Sequence, residues 1–464
     1  MFVPEARVSD AQRLRAGDIV VAMSSGSASV VGKAASVEAS DATRSAGFGA
    51  FCGLWRPADD MSPWLRQYFQ SPEYRQIVSS AAAGININNL RADHIGAIQI
   101  RVPPAGAQRR IVAKLESLQS RSRRAREVLD AVPPLLEKLR QSILAAAFRG
   151  DLTKDWRAKH KDVEPASELL KRLRVERRRK WEENELARMK AKGKVPGNDR
   201  WKGKYEEPEG VDATGLPELP EGWCWASVDE VSVLQLGQQR APIHAAAEKA
   251  YPYVRAANIT WDGLDLSDMK EMGFPDRDRY LLEDGDVLLS EASGSPTEVG
   301  KPAIWRSEIP GCCYQKTLLR VRPVSRDASS EWLHLGFLAD ALLGRFAKMA
   351  PGVGILHLTA DRMLRWPVAL APSAEQEMII AVVQAGVRRL RRLEGMTETA
   401  TAALSTAERA VLAKAFRGEL VPQDPSDERT DGMLEGVREN PGPGDLSAKK
   451  RRGERLSDVA EADS

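Results

Sequence analysis

The sequence predicts an α+β protein that arose by tandem duplication. Each copy is a mixed α/β domain followed by a long helix, and the two helices are expected to pair as an antiparallel coiled coil. Three observations support this fold class: a repeat at one fixed offset, short strand-like runs at the start of each copy, and a heptad pattern at its end. The chain has 464 residues, enough for several domains.

The repeat is clearest in two segments. "GDIVVAMSSGSASVVGK" from Gly17 aligns without gaps with "GDVLLSEASGSPTEVGK" from Gly285, and 8 of the 17 positions are identical. The spacing from Gly17 to Gly285 is called the repeat offset below. The same offset relates "LAAAFRGDL" from Leu144 to "LAKAFRGEL" from Leu412. One shared offset over such a distance indicates duplication, and a period this long with two copies excludes a solenoid.

The loop at the start of each copy invites comparison with a phosphate-binding loop. Five residues, rather than four, separate Gly26 from Gly32, and Ala34 rather than Ser or Thr follows Lys33. The sequence therefore predicts a strand–turn–strand connection whose glycines permit positive φ. Contact of this loop with a ligand backbone stays open as a second interpretation.

The end of each copy carries a helical heptad pattern. In the first copy the predicted seam positions are Ile111, Leu115, Leu118, Ser122, Ala125, Leu129, Val132, Leu136, Leu139, Ile143 and Ala146. In the second they are Ile379, Val383, Gly386, Leu390, Leu393, Thr397, Ala400, Leu404, Ala407, Val411 and Lys414. Because an apolar stripe of this length is unstable in water, the two helices are expected to pack on each other.

Composition narrows the class of protein. No apolar run approaches a membrane span, and the four scattered cysteines predict reduced thiols in a cytoplasmic protein without membrane association. The five histidines show no metal-binding spacing, so no metal site is predicted. Between Lys154 and Lys204 the chain has 18 Lys and Arg against 9 Asp and Glu. That segment is interpreted as a charged helical connector, with attraction to a nucleic-acid backbone or docking to a partner as the alternative.

These patterns divide the chain into six predicted segments. They are a first target-recognition domain (1–103), a first spacer helix region (104–152), a charged helical linker (153–215), a second target-recognition domain (216–373), a second spacer helix region (374–420) and a disordered tail (421–464).

Several of these segments resemble one known family. Together they resemble the specificity subunit of type I restriction-modification systems. The segments are "LPELPEGWCWASVDEV" from Leu216, "YVRAANI" from Tyr253, the paired loops, the helix openings "PPAGAQRRIV" and "APSAEQEMII", and the paired "AFRG" helix ends. The resemblance extends to about Pro422. It rests on the order, duplication and spacing of the motifs rather than on any one of them.

The resemblance implies a non-catalytic subunit that binds double-stranded DNA. Each recognition domain would read one half of a bipartite site, and the helices would set the gap and dock two methylation subunits. S-adenosylmethionine and ATP are expected only on the methylation subunits and on a separate restriction subunit that acts as motor and nuclease. Consistent with this, the sequence contains no methyltransferase motif, Walker A motif or nuclease constellation, so neither catalytic residues nor cofactor-binding residues are predicted.

One departure from the family pattern concerns the start of the chain. In the second copy a long segment separates Pro217 from Leu282, whereas only 13 positions precede the equivalent Leu14 in the first copy. The first recognition domain is therefore expected to be N-terminally incomplete, through either a start site further upstream or a truncated gene.

Candidate DNA contacts are side chains that can reach base edges or phosphates. In the second domain they are Arg255, Asn258, Ser293, Ser295, Lys301, Gln315, Lys316 and His357. In the first domain they are Ser25, Ser27, Lys33, Asn86 and Asn88. For each of them a solvated or turn-forming role remains the alternative. For the whole chain the alternative is a duplicated scaffold that binds two copies of a protein partner without reading bases.

Overall fold

The structure is a computed structural model. It describes residues 10–27, 29–42, 46–58, 61–81, 88–194, 196–241, 249–293, 298–349 and 356–427. The predicted tail is described only over 421–427, where Asp427 forms an ion pair with Arg110; the rest of it lies outside the described residues. Within the described ranges no helix is long and apolar enough to cross a membrane.

The chain forms two compact units, and each unit takes part of both long helices. The first unit comprises residues 1–132 and 395–464, and the second comprises residues 133–394. The boundaries fall inside α5 (Ala105–Phe148) and α13 (Ser373–Phe416). Each helix has 44 residues, which gives a length of about 66 Å at a rise of 1.5 Å per residue.

The first unit is built around a three-stranded sheet in the order β3-β1-β4 and a small ribbon of β2 with β5. Its elements before α5 are β1 (Ile19–Ala22), β2 (Ser24–Ser25), β3 (Ala34–Ser36), α1 (Ala39–Ala42), β4 (Cys52–Trp55), α2 (Ser62–Tyr68), α3 (Pro72–Ala81), β5 (Asn88–Asn89) and α4 (Ala92–Gly96). Aromatic side chains of α2 and α3 fill its core, where Trp64, Tyr68 and Tyr74 are buried.

The second unit contains a four-stranded sheet, β14-β12-β16-β7, and a three-stranded sheet, β11-β8-β15. Three two-stranded pairs, β13-β17, β18-β6 and β10-β9, complete it. Its elements between α5 and α13 are α6 (Lys154–Lys159), α7 (Ala166–Ala191), β6 (Cys224–Ser227), α8 (Val228–Val231), β7 (Ser232–Leu236), β8 (Tyr251–Val254), β9 (Ile259–Thr260), β10 (Gly263–Leu264), β11 (Lys270–Met272), α9 (Arg277–Tyr280), β12 (Val287–Ser290), β13 (Ala292–Ser293), β14 (Pro302–Ile304), β15 (Cys313–Tyr314), β16 (Leu318–Pro323), α10 (Ser330–Leu342), α11 (Arg345–Met349), β17 (Leu356–His357), α12 (Ala360–Leu364) and β18 (Pro367–Leu370).

The duplication is visible in the bounds of the elements. Strands β1, β2, β3 and β5 recur at the repeat offset as β12, β13, β14 and β17, and α4 and α5 recur as α12 and α13. The pairings recur as well, because β1 pairs with β3 as β12 pairs with β14, and β2 pairs with β5 as β13 pairs with β17. The predicted fold class, with its duplicated domain and two long helices, is confirmed.

The repeated loop is a strand–turn–strand connection, as predicted. Gly32 and Gly300 stand at equivalent places in it, with φ of 75° and 71°. A Cβ at Gly300 would lie 2.3 Å from Cδ2 of Phe346, and one at Gly32 would lie 2.6 Å from Cγ2 of Val78. Glycine is therefore required at both places by the backbone conformation and by the close approach of a core side chain.

Replacing Gly300 with alanine is expected to lower the free energy of unfolding by about 2–4 kcal/mol, since strain from positive φ and overpacking against Phe346 add. Gly344 is a matched control, because its φ is 68° but no atom lies within 4 Å of its Cβ position. Gly344→Ala should therefore show only the backbone part, about 1 kcal/mol. Urea unfolding of both variants measures the difference, and equal losses would refute the contact with Phe346.

The long helices pack antiparallel within each unit, but their buried stripe departs from the predicted seam. Late in α5 the buried residues are Leu136, Arg140, Leu144 and Ala147, and the predicted Leu139 is 48% exposed. In α13 the predicted Leu393 is 45% exposed. The predicted Ala400, Ala407 and Lys414 are exposed too, whereas the residue after each is half-buried or buried. A strict heptad drifts by about 20° per seven residues on a straight helix, so after about five heptads the stripe lies one residue later.

Each unit places the end of one long helix against the mixed α/β domain of the other copy. In the first unit the Phe416 ring lies 4.6 Å from that of Trp64. In the second unit the Phe148 ring lies 4.8 Å from that of Trp332. The two phenylalanines are related by the repeat offset, as are the two tryptophans. The phenylalanine of each "AFRG" motif therefore packs into the core of one unit, which accounts for the repetition of the motif.

The linker contains a helix, α7, whose first turns belong to the core of the second unit. Leu169, Leu170 and Leu173 are buried there. The basic side chains further along are engaged by carboxylates: Arg177 contacts Asp229, and Arg179 contacts Glu176. The segment is thus a docked connector over its first half, and its arginines are largely neutralised.

Candidate nucleic-acid interface

A cleft of about 430 Å³ opens at one edge of the second recognition domain. It lies where β8, β11 and the turn between β15 and β16 meet. Its walls are formed by Arg240, Tyr253, Arg255, Ala256, Ala257, Lys270, Glu271, Gln315 and Thr317. Two of the predicted DNA contacts, Arg255 and Gln315, therefore face one cleft although they lie on distant segments of the sequence.

The turn that carries Gln315 is fixed by hydrogen bonds from three directions. The Gln315 amide donates to the Val254 carbonyl at 2.9 Å, and the Ala256 amide donates to Oγ1 of Thr317 at 3.0 Å. The Glu291 amide donates to the Thr317 carbonyl at 2.9 Å. These bonds hold the Gln315–Thr317 turn against β8, so the exposed Lys316 projects from a fixed backbone. Gln315 is half-buried, and its Oε1 accepts from Oγ1 of Thr317 at 3.2 Å.

Arg255 stands beside this turn. Its guanidinium donates to Oδ2 of Asp268 at 2.5 Å, and Lys270 contacts the other carboxylate oxygen at 2.7 Å. The two cations hold the pKa of the Asp268 carboxyl below its usual value, the hydrogen bond from Lys270 being the larger cause. Arg255, Asp268 and Lys270 thus form a cluster with one more positive charge than negative, and the acidic Glu271 also lines the cleft.

Asn258 lies under this cluster and is 2% exposed. Its Oδ1 accepts from the Arg255 amide at 3.1 Å, and its Nδ2 donates to the carbonyl of Asp265 at 2.9 Å. In this geometry the carboxamide orders the loop that presents Arg255.

Two exposed cations at this edge of the domain stand out: Arg240 lines the cleft, and Lys316 lies on the adjoining turn. Arg240, on the loop after β7, and Lys316, at the tip of the turn, have no carboxylate within ion-pair distance in the part of the chain that the structure describes. A positive charge without an internal partner is available to a phosphate. Arg240 was not predicted from the sequence, although the run "GQQR" after a strand consists of base-reading side-chain types and could have indicated it.

The β13–β17 ribbon of the second domain adjoins the edge formed by the Gln315–Thr317 turn. Strand β13 pairs with β17, so Ser293 stands opposite Leu356 and Ala292 opposite His357. The exposed His357 places Nδ1 3.3 Å from Oε1 of Glu291, the residue bonded to the Gln315–Thr317 turn. Ser295 lies outside the described residues.

Lys301 differs from the other loop candidates because it is 9% exposed. Its ammonium contacts Glu298 and lies 5.5 Å from the ring centroid of Trp261. Its equivalent in the first copy, Lys33, is exposed. The two lysines of the repeated "VGK" therefore occupy different environments, and Lys301 is engaged within the fold.

The first domain presents a similar but smaller edge. Ser25 stands opposite Asn88 in the β2–β5 pair, which brings two predicted contacts together. Ser27 Oγ lies 2.9 Å from Oγ of Ser29 on the adjoining loop. Asn86 lies outside the described residues. The equivalent ribbons, β2–β5 and β13–β17, thus carry predicted contacts in both copies.

The described residues contain neither a metal-binding cluster nor a disulfide. In the described ranges no group of three or more His, Cys, Asp or Glu side chains could hold a metal ion. All four cysteines lie within those ranges, and none forms a disulfide. Burial raises the pKa of the Cys312 thiol to about 12 and that of Cys313 to about 11.

The fold is thus a duplicated one, with two similar mixed α/β domains and two long helices. No family model matches the chain. The chain is 27% identical over 428 residues to the type I restriction enzyme EcoKI specificity subunit of Escherichia coli K12, covering 91% of this chain and 79% of that protein. It is 28% identical over 431 residues to the StySPI specificity subunit of Salmonella potsdam, with the same coverage.

A solved structure from a study of complex assembly and conformational transition of the type I restriction-modification system has the same fold. It superposes with a TM-score of 0.60 at 19% identity, covering 89% of this chain and 85% of that one. The resemblance to type I specificity subunits, first drawn from the paired loops and helix ends, is confirmed.

Proposed function

We propose that this chain is the DNA-reading specificity subunit of a type I restriction-modification complex. The observation that carries the proposal is the repetition of one ribbon edge at a fixed offset: the β2–β5 ribbon and its hairpin loop in the first copy recur as the β13–β17 ribbon and loop in the second. Two reading edges joined through helices suit a target with two half-sites, because duplex DNA is itself a periodic rod.

Each edge would divide its contacts between phosphates and bases. In the second domain we assign backbone contacts to Arg240, Lys316 and the Arg255 cluster, since cations position a protein on the duplex without reading sequence. Gln315 and His357 would address base edges, and glutamine suits adenine because it can pair with N6 and N7 together. We assign Asn258 and Lys301 to positioning, because both are buried and engaged within the fold.

The same proposal extends to the first domain. The loop-and-ribbon edge of the first domain would face the duplex with Ser25, Ser27, Lys33, Asn86 and Asn88. The equivalent edge of the second domain would do so with Ser293 and Ser295. The exposed Lys33 would contact a phosphate in place of the buried Lys301. The predicted domain boundaries, including a first domain over 1–103 and a second over 216–373, belong to this proposal.

The chemistry would reside on partner chains. Two methylation subunits would dock on the long helices, bind S-adenosylmethionine and act on an adenine turned out of the duplex. A restriction subunit would supply ATP-driven movement and cleavage. This chain would contribute no catalytic group, cofactor or metal, and would work in the cytoplasm, where the DNA and reduced thiols are found.

Methylation mapping tests the proposal. Residues 217–373 are replaced by the equivalent segment of a specificity subunit with a known bipartite site, and the chimera is co-expressed with its methylation subunits. We expect one half of the methylated motif to change while the other half and the spacing persist. The reciprocal chimera is the control and should acquire the half lost here. An unchanged motif would instead indicate a scaffold that binds partners without reading bases.

A further inference from the structure

The two long helices carry opposite charges at the same two positions of the repeat. Arg126 and Glu394 are related by the repeat offset, and so are Arg140 and Glu408. At both positions α5 has arginine and α13 has glutamate. Nothing in the predicted heptad pattern requires this, because none of the four residues is a predicted seam position, although Arg140 lies within the buried stripe.

These four residues meet in pairs. In the first unit Nη2 of Arg126 donates to Oε2 of Glu408 at 2.8 Å and to Oγ of Ser405 at 3.2 Å. In the second unit Nη2 of Arg140 donates to Oε1 of Glu394 at 3.2 Å. Arg126 and Glu394 occupy the earlier of the two repeat positions, and Arg140 and Glu408 occupy the later one. Each ion pair therefore joins an earlier position on one helix to a later position on the other.

Apolar packing alone distinguishes poorly between the helices. Ile111 and Ile379 are identical at equivalent positions, and Leu136 is matched by Leu404. A helix pair made of two copies of α5, or of two copies of α13, could bury a similar stripe. The charges distinguish these pairs: α5 on α5 would set Arg126 against Arg140, and α13 on α13 would set Glu394 against Glu408.

The two like pairs are not equally disfavoured. On α5, Glu137 lies 4.0 Å from Arg140 and would soften the contact between two arginines. The equivalent residue on α13 is Ser405, which carries no charge. Two copies of α13 would therefore leave two facing glutamates without a cation at these positions. Arg140 is only 10% exposed in its side chain, so its charge is poorly screened by water.

We propose that Arg126, Arg140, Glu394 and Glu408 form a charge code for helix pairing. The code directs α5 to α13 of complementary charge and disfavours assembly of two copies of the chain through like helices. It is independent of DNA reading, because the two ion pairs lie between the helices. Complementary charges beside an apolar seam are a recognised means of choosing helix partners.

Two full-length variants test the code. R126E/R140E carries glutamate at all four positions, and E394R/E408R carries arginine at all four. Each ion pair becomes a like-charge pair, so we expect the folding equilibrium constant of either variant alone to fall roughly fivefold per pair. When the two are co-expressed with different tags, we expect a complex of one chain of each kind, because their helices are complementary across chains. Tandem purification and light scattering measure it.

Two further chains make the result decisive. The fourfold variant R126E/R140E/E394R/E408R reverses every charge and should regain the stability and monomeric mass of the parent, even where the double variants fail to fold. E209R/R365E, which reverses a pair whose two side chains are both largely exposed, is the control and should change neither property. The proposal is overturned by a fourfold variant that is no more stable than the double variants. It is equally overturned by co-expressed chains that do not associate.

Discussion

Replacing Asp286 with alanine is expected to destabilise the second recognition domain by about 3–5 kcal/mol, the usual loss when one partner of a buried ion pair is removed. Asp286 is 1% exposed. Its two carboxylate oxygens accept from Nε and Nη2 of Arg322, both at 2.7 Å. Oδ2 also accepts from the Glu283 amide at 2.8 Å. The change leaves a half-buried guanidinium without its main acceptor and a turn without its cap.

The measurement is the urea dependence of unfolding, followed by tryptophan fluorescence. Asp262→Ala is the matched control, since Asp262 also pairs with an arginine, Arg391, but its side chain is 68% exposed. Asp262→Ala should lower the free energy of unfolding by at most about 1 kcal/mol. D286A/R322L removes both charges and should recover part of the stability. A loss from Asp286→Ala no larger than that of the control would contradict the assignment of this pair to the core.

The same ion pair exists in the first domain, which explains why both loops begin with "GD". Asp18 is 1% exposed and accepts from Nε and Nη2 of Arg56, both at 2.7 Å. The two arginines, however, are not related by the repeat offset. The residue at that offset from Arg56 is Val324 rather than Arg322, because the loops around β4 and β16 differ in length. A gapless repeat therefore identifies the aspartates but not their partners.

Prediction from sequence succeeded where one local pattern determines the structure. The repeat offset, found in loops and helix ends, holds for the bounds of both long helices. The seam was correct near the start of each helix. It was wrong at Leu139 and Leu393, which are exposed, because heptad steps ignore the 3.6-residue turn, while Ile143 and Val411 stay half-buried. The strand–turn–strand loop was correct because Gly32 and Gly300 leave few conformations open.

The candidate interface was harder to predict because its members converge from distant segments. Arg255, Gln315 and Lys316 were predicted singly, but no local pattern could place Arg240 beside them. Burial was equally invisible: Lys33 and Lys301 are identical in the repeat, yet Trp261 and Glu298 engage only the second. Such differences depend on contacts outside the repeat, which a comparison of the two copies cannot contain.

Removing Arg240 and Lys316, which have no carboxylate partner among the described residues, is expected to weaken DNA binding roughly thirtyfold at physiological salt, if each releases one counterion. The variant is R240Q/K316Q in the full chain, assembled with its methylation subunits. Each phosphate contact contributes about 0.9 to the slope of log affinity against log salt, so the slope should become shallower by about two. Titration of labelled duplex at several salt concentrations measures both quantities.

The control must separate a local contact from the general field of the protein. R178Q/R188Q removes the same net charge from exposed positions of α7 that already have carboxylate partners, Glu182 and Glu185. Because those charges are neutralised within the chain, the slope should stay within experimental error of the parent. If the slope of R240Q/K316Q also stays equal to that of the parent, the DNA must contact another part of the second domain. If only the R178Q/R188Q control has a shallower slope, the helix α7 of the linker is the surface that attracts the DNA backbone.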